Sequence, residues 1–158
     1  MTIFVDCDGV LADFDKAAEK LLGMPARAFE DEHGSDEFWR RIGESERFYR
    51  NLDLMPEAEF LMDSLRHKDP IILTGSPAQL RWYAYIDKND WAREKFGKNQ
   101  KVIICQSKNK FMFAEPGDVI IDDWPKHRKS WEDVGGIWIP YENDAVEIVK
   151  RLRDEGYI

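Results

Sequence analysis

The sequence predicts an α/β fold: three layers around a mostly parallel sheet, with a small helical cap inserted after the first strand. Three observations predict it. Short, continuous, β-branched runs recur along the chain, as strands buried on both faces require. Stretches of helical periodicity alternate with them, the pattern of strand–helix–strand crossovers. Between the first run and the second lie 65 residues, where a simple crossover needs only about 10–12.

In chain order, Ile3-Phe4-Val5 is the first strand. Residues 12–22 read as a helix ended by Gly23-Met24-Pro25. Residues 36–42 read as a second, with Ser35 placed to cap it. Residues 44–52 read as a third. Pro56 then opens a helix over 58–67, where Phe60, Leu61, Ser64 and Leu65 share a face. Ile71-Ile72-Leu73 is the second strand. Residues 80–96 carry Leu80, Tyr83, Ala84 and Trp91 amid charges, a helix. Strands follow at 101–105, 119–121 and 136–140. The last helix, 144–153, repeats Ala145, Ile148, Val149 and Leu152 at i, i+3, i+4 and i+7. The expected organisation is a core of residues 1–14 and 69–158 with a cap of residues 15–68.

The chain has 158 residues, one domain's worth, and 43% are hydrophobic, enough for a real core. Lys and Arg total 23 against 31 Asp and Glu, a net charge of −8. An acidic surface disfavours long nucleic acid and anionic membranes as partners. The apolar runs are far too short to span a bilayer. Cys7 and Cys105 are too few for a disulfide framework and read as buried thiols. No basic leader precedes the first strand, so a cytoplasmic protein is expected. Self-association as a homodimer is left open.

In open parallel sheets, ligands bind beyond the carboxyl ends of the strands. The residues there are Asp6-Cys7-Asp8-Gly9 after the first run, Thr74-Gly75-Ser76-Pro77 after the second, and Asp122-Asp123 after the run at 119–121. Lys108 and Lys110 lie shortly before that strand. Crowded carboxylates need a cation. Oxygen ligands without His or Cys suit Mg²⁺. Carboxylate, Mg²⁺ and Lys together suit phosphoryl transfer, with Asp able to act as nucleophile. Gly9 lets backbone amides approach a phosphate.

Asp6-x-Asp8-Gly9-Val10, Thr74, a Lys and Asp122-Asp123, in that order, resemble the haloacid dehalogenase-like phosphohydrolases. The likeness is nearest to the 5′(3′)-deoxyribonucleotidases. Its pieces are Asp6 through Phe14, Phe38-Trp39, Phe48 through Pro56, Ile71 through Pro77, Lys88, Trp91, Phe96-Gly97 and Pro116 through Asp123. The resemblance implies that Asp6 is the nucleophile and Asp8 the acid and base. It implies that Thr74 binds the phosphoryl group and that one Lys, favoured as Lys110 over Lys108, neutralises it. Asp6, the Asp8 carbonyl, Asp122 and Asp123 would hold Mg²⁺. Phe14, Phe38 and Trp39 would receive a base by stacking. Gly9, Ser76 and Lys108 would complete the substrate contacts. Two departures stand out: Gly75 intervenes in the family's Thr-Ser-Pro, and Trp124 follows the paired Asp where some relatives carry Arg.

The expected activity is Mg²⁺-dependent hydrolysis of a nucleoside or deoxynucleoside monophosphate. The alternatives are a sugar phosphate or polynucleotide end as substrate, or a nucleotide-binding module without activity. Some motif-like residues have ordinary structural roles instead. Trp82, Tyr83, Tyr85 and Trp91 read as core or cap contacts, His33, His67 and His127 as surface, Cys7 as strand packing, and the basic cluster 126–129 as solvated. Phe38 and Trp39, about 100° apart on a helix, should divide between core and cleft.

Overall fold

The computed structural model describes residues 1–158, apart from the side chain of Arg81. Five strands form one parallel sheet: β1 (Ile3–Val5), β2 (Ile71–Gly75), β3 (Val102–Cys105), β4 (Val119–Asp122) and β5 (Ile137–Pro140), in the order β3-β2-β1-β4-β5. β1 is central, with Val5 beside Ile72 on one side and Ile121 on the other. All strands run the same way, so Asp6, Thr74 and Asp122 reach the same edge.

Side chains alternate between two apolar layers, as the period of a strand requires. Ile3, Val5, Ile72, Val119 and Ile121 face the larger one, while Phe4, Leu73 and Ile120 face the smaller. The larger layer is covered by α4 (Ala58–Leu65), α5 (Arg81–Phe96) and α7 (Ala145–Asp154), and α4 packs on α7. The smaller is closed by Trp131 of α6 (Arg128–Asp133), whose ring meets Phe4 edge-on at 5.5 Å.

Between β1 and β2 lie α1 (Phe14–Leu22), α2 (Ala26–His33) and α3 (Ser35–Glu44), packed on one another, then a 3₁₀ turn at Tyr49–Asn51 and α4. The Asp13 carboxylate caps α1 by accepting from the Lys16 N–H at 3.2 Å, and Gly23 ends it at φ 77°. Two expectations are corrected, and one helix is added. Residues 44–52 form no α-helix of their own, only the end of α3 and the 3₁₀ turn: Ser45 is extended and Arg47 sits at φ 54°, which breaks the helical path. Residues 26–33 are helical although the sequence hides it, because Phe29 alone is buried among charges. Ser35 is the first residue of α3 and does not cap it with its side chain; Gly34 holds the cap position.

The insertion is tied to α5. Arg47 pairs with the buried Asp87 at 2.6 Å, Arg50 pairs with Glu94, and the Trp91 indole N–H donates to the Leu52 carbonyl at 2.7 Å. Trp91 is core, but Trp82 and Tyr85 are 69% and 54% exposed, against expectation. The buried face of α5 is set by Ala84, Lys88, Trp91 and Ala92, and those two rings lie off it. Cys7 is buried while Cys105, on the edge strand, is only half-buried. Among the described residues, no helix is long and apolar enough to cross a membrane.

Candidate active site

The turn after β1 supplies the first two acids. The Asp6 N–H extends the ladder by donating to Ile121 O at 2.9 Å, which buries Asp6 and points it into the sheet edge. Its Oδ1 accepts the Cys7 N–H at 2.8 Å. The N–H groups of Leu11 and Ala12 both donate to Cys7 O at 2.8 Å, folding the chain back at once. Gly9 sits within this turn at φ 79°, and a Cβ there would collide with the Asp123 carboxylate. The position needs glycine on both counts.

Lys110 lies in the 3₁₀ stretch Ser107–Phe113 and is buried. Its ammonium bridges Asp6 Oδ1 at 2.9 Å and Asp122 Oδ2 at 2.7 Å. Lys108 is exposed and does not line the cleft. With three residues per 3₁₀ turn, residues two apart point about 240° from each other, so only one of these lysines faces inward. The other Asp122 oxygen accepts the Trp124 N–H at 2.9 Å.

Asp6, Asp122 and Asp123 each bring one oxygen into a group whose members lie within 4.8 Å of one another, the one such set among the described residues. Three carboxylates without imidazole or thiolate suit a small, hard divalent cation such as Mg²⁺. Burial pushes the Asp122 carboxyl up to about 6, Asp6 adds to this, and Lys110 opposes it. Burial also carries Asp123 up to about 7, reinforced by Asp6 and then Asp122, although it is the most open of the three. Burial lowers the proton affinity of Lys110, but Asp6 and Asp122 outweigh it and hold the ammonium well above the ordinary lysine value. Asp122 and Asp123 thus retain protons more tightly than usual, the signature of a site short of positive charge.

Asp8 stands apart from that trio. Its Oδ2 accepts from Lys88 Nζ at 2.5 Å, and its Oδ1 is buried with no hydrogen-bond partner. Burial raises its carboxyl above the ordinary range, with Lys88 pulling the other way. Thr74, buried at the end of β2, accepts from the same ammonium at 3.0 Å.

Above these groups opens a cleft of about 460 Å³. Asp6, Asp8 and Gly9 lie in its floor; Ser76, Ser107 and Trp124 flank it. The insertion contributes Phe14, Phe38, Trp39 and Tyr49. Phe38 is buried and Trp39 half-buried; their rings meet edge-on at 4.7 Å, with Phe14 6.3 Å from Trp39. A second cavity of about 330 Å³, beside Pro70 and Gln100 at the opposite edge of the sheet, holds none of these acids or lysines.

Sequence reasoning assigns no role to Lys88, Tyr49 or Ser107. For Lys88 a signal exists: it stands at the i+4 position between Ala84 and Ala92, on the face of α5 that also buries Asp87 and Trp91. Ser107 carries no comparable mark.

No family model matches the chain. The mitochondrial 5′(3′)-deoxyribonucleotidase of Homo sapiens is 31% identical to it over 160 residues, covering 85% of this chain and 69% of that one. The chain belongs to the 5′(3′)-deoxyribonucleotidase family. The Mus musculus protein of the same name is 29% identical, over 85% of this chain and 71% of its own. As a family member the chain is an enzyme, a phosphoric monoester hydrolase. Solved structures agree on the fold. The L-2-haloacid dehalogenase of Xanthobacter autotrophicus superposes with a TM-score of 0.57 at 11% identity, over 98% of this chain and 82% of that one. A HAD-hydrolase of Bacillus subtilis bound to magnesium gives 0.57 at 18% identity, over 96% and 97%. This deoxyribonucleotidase-family chain therefore shares the fold of these hydrolases.

Proposed function

We propose that the chain is a Mg²⁺-dependent phosphatase of nucleoside or deoxynucleoside monophosphates, acting through an aspartyl-phosphate. The observation that carries this is the floor of the cleft: three carboxylates within 4.8 Å of one another, with Lys110 bridging two of them. Asp6, Asp122 and Asp123 would hold the cation, joined by the backbone carbonyl of Asp8. When bound, Mg²⁺ supplies positive charge to the phosphate oxygens.

Asp6 is the nucleophile. Its carboxylate oxygen forms a bond to phosphorus as the bond from phosphorus to the nucleoside oxygen breaks, and Asp8 gives its proton to that leaving oxygen. In the second step Asp8 takes a proton from water, the water oxygen bonds to phosphorus, and the Asp6 carboxylate leaves. Lys110 keeps Asp6 oriented and balances charge on the phosphoryl group. Thr74 and Ser76 contact that group, with Gly9 giving the backbone room.

Residues 15–68 supply the cap. Its α1–α3 portion carries the aromatic wall of the cleft, whose rings suit a flat base. A wall of this kind favours a nucleotide over a sugar phosphate. The net charge of −8 favours a small anion over a polynucleotide. The free thiols fit a reducing compartment such as the cytoplasm.

The test is phosphate release from nucleoside monophosphates, sugar phosphates and end-phosphorylated oligonucleotides, at fixed Mg²⁺ and after EDTA. Preference for the monophosphates, lost with EDTA and abolished in a folded Asp6→Asn variant, is expected. Normal EDTA-sensitive turnover by Asp6→Asn, or preference for a sugar phosphate, overturns the proposal.

A further inference from the structure

Lys88 is a buried charge to which the function above gives no role. It is 2% exposed, on the face of α5 that also buries Ala84, Asp87, Trp91 and Ala92. Taking an ammonium out of water costs several kcal/mol unless its donors are met. All three N–H groups have acceptors here: Asp8 Oδ2 at 2.5 Å, Gly75 O at 2.7 Å and Thr74 Oγ1 at 3.0 Å. The Tyr49 ring lies 4.7 Å from the same nitrogen, covering it from the insertion. For stability alone such a pair is a poor choice, because apolar residues of similar volume usually do as well or better.

The arrangement is also directional. Thr74 and Gly75 belong to the end of β2, so two of the three bonds fix the ammonium to the sheet. The third reaches Asp8, which lies in the turn after β1 and in the floor of the cleft. Lys88 occupies Oδ2 and leaves Oδ1 without a partner. A carboxyl gripped by one oxygen has one orientation and one oxygen outside the ion pair.

We propose that Lys88 is a positioning residue of the hydrolysis, which anchors the Asp8 carboxyl to the end of β2 in the orientation that serves the leaving oxygen. The proposal rests on the function proposed above, and adds that Lys88 acts through Asp8 rather than on the phosphate.

The test uses kcat/KM, which reports only the steps up to departure of the leaving group. Two substrates are compared, a nucleoside 5′-monophosphate and p-nitrophenyl phosphate, whose leaving group needs no proton. General-acid assistance is worth about 10²–10⁴-fold, so Lys88→Met should lower kcat/KM for the nucleotide by roughly 100-fold or more. For p-nitrophenyl phosphate the loss should stay under about fivefold, because the nucleophile and Lys110 are untouched and Thr74 keeps its place in β2, losing only the bond from Lys88. Equal losses on both substrates, or none on the nucleotide, overturn the proposal.

If Lys88→Met does not fold, the pair Asp8→Asn and Asp8→Asn/Lys88→Met decides, since the double variant removes both charges together. Once Asp8 is gone, removing Lys88 should cost nothing further in nucleotide turnover; an additional loss of about tenfold or more overturns the proposal. Wild-type protein that releases no phosphate overturns the function and this inference with it. Active wild type with the wrong variant pattern overturns only the role of Lys88.

Discussion

Raising the pH of the metal-free protein from about 4.5 to about 7.5 should weaken its fold, and Asp122 gives the size of the effect. Its carboxyl holds a proton up to about 6 in the folded chain, against an ordinary 3.8. Below about pH 4 both folded and unfolded chains carry that proton. As the pH climbs, the unfolded chain releases it first, so the folded state progressively loses relative stability until its own carboxyl ionises. A tenfold change in proton affinity is worth about 1.4 kcal/mol, so Asp122 accounts for a loss on the order of 3 kcal/mol over its whole titration range, of which roughly 2 kcal/mol falls between about pH 4.5 and 7.5. Asp123 acts in the same sense but is open to solvent, so its share is screened. Glu37, Asp53 and Glu94 act oppositely, held low by hydrogen bonds from Arg40, Lys16 and Arg50. They lie on the surface and titrate at the acid end of the range. For a chain of this size ~2 kcal/mol corresponds to a fall in Tm of roughly 4–8 °C. Urea unfolding followed by tryptophan fluorescence, at both pH values without metal, measures it. Asp122→Asn should flatten the slope, since the amide cannot ionise. Added Mg²⁺ should restore the wild type at the higher pH and do little at the lower one, where the ligands are protonated. A metal-free wild type that gains stability over this interval, or an Asp122→Asn variant that keeps the full slope, would refute the reasoning.

Two further substitutions probe the other walls of the site. Gly9→Ala forces a side chain into a left-handed backbone position, at a cost of about 1–2 kcal/mol, and pushes on the Asp123 carboxylate. Lower thermal stability and a higher Mg²⁺ requirement are expected, and a metal titration of activity that superposes on wild type would contradict this. Trp39→Ala removes one aromatic face of the cleft. Stacking a base on such a ring is worth about 1–3 kcal/mol, so kcat/KM for a nucleoside monophosphate should fall roughly 5- to 150-fold. Turnover of p-nitrophenyl phosphate should be little changed, and parallel losses on both substrates would show that Trp39 only supports the fold.

The strands are readable because each is buried on both faces and so is written as an unbroken apolar run; Ile3-Phe4-Val5 and Val119-Ile120-Ile121 suit little besides a buried strand. The insertion is less readable at α2 and at the turn after α3. In α2 a single buried residue, Phe29, leaves no period to detect. After α3 the backbone of Arg47 turns left-handed, held by a pair with Asp87 forty residues away, which no local pattern announces. The site divides in the same way. Asp6, Thr74 and Asp122 follow from the rule that parallel strands deliver their last residues to one edge. Lys110 needs the 3₁₀ geometry to be separated from Lys108. Lys88 sits in mid-helix; the resemblance includes it but gives it no role, and its burial beside Asp87 is what marks it.

The two buried lysines also explain how so acidic a site can exist without collapsing into shared protons. Four carboxylates gather at the sheet edge, and the lysines do not share them evenly. Lys110 takes Asp6 and Asp122, while Lys88 takes Asp8 alone. Asp123 is left without a lysine, and it is carried up to about 7, above Asp122. Four negative charges against two positive ones leave an excess of two, which a divalent cation would cancel where a monovalent one would not. The excess is confined to the Asp6–Asp122–Asp123 side, since Asp8 is already neutralised by its own partner. A cation drawn to the site is therefore drawn to Asp6, Asp122 and Asp123 and away from the Asp8 carboxyl, so that, under the function proposed above, the proposed nucleophile and the proposed acid and base keep separate sources of positive charge.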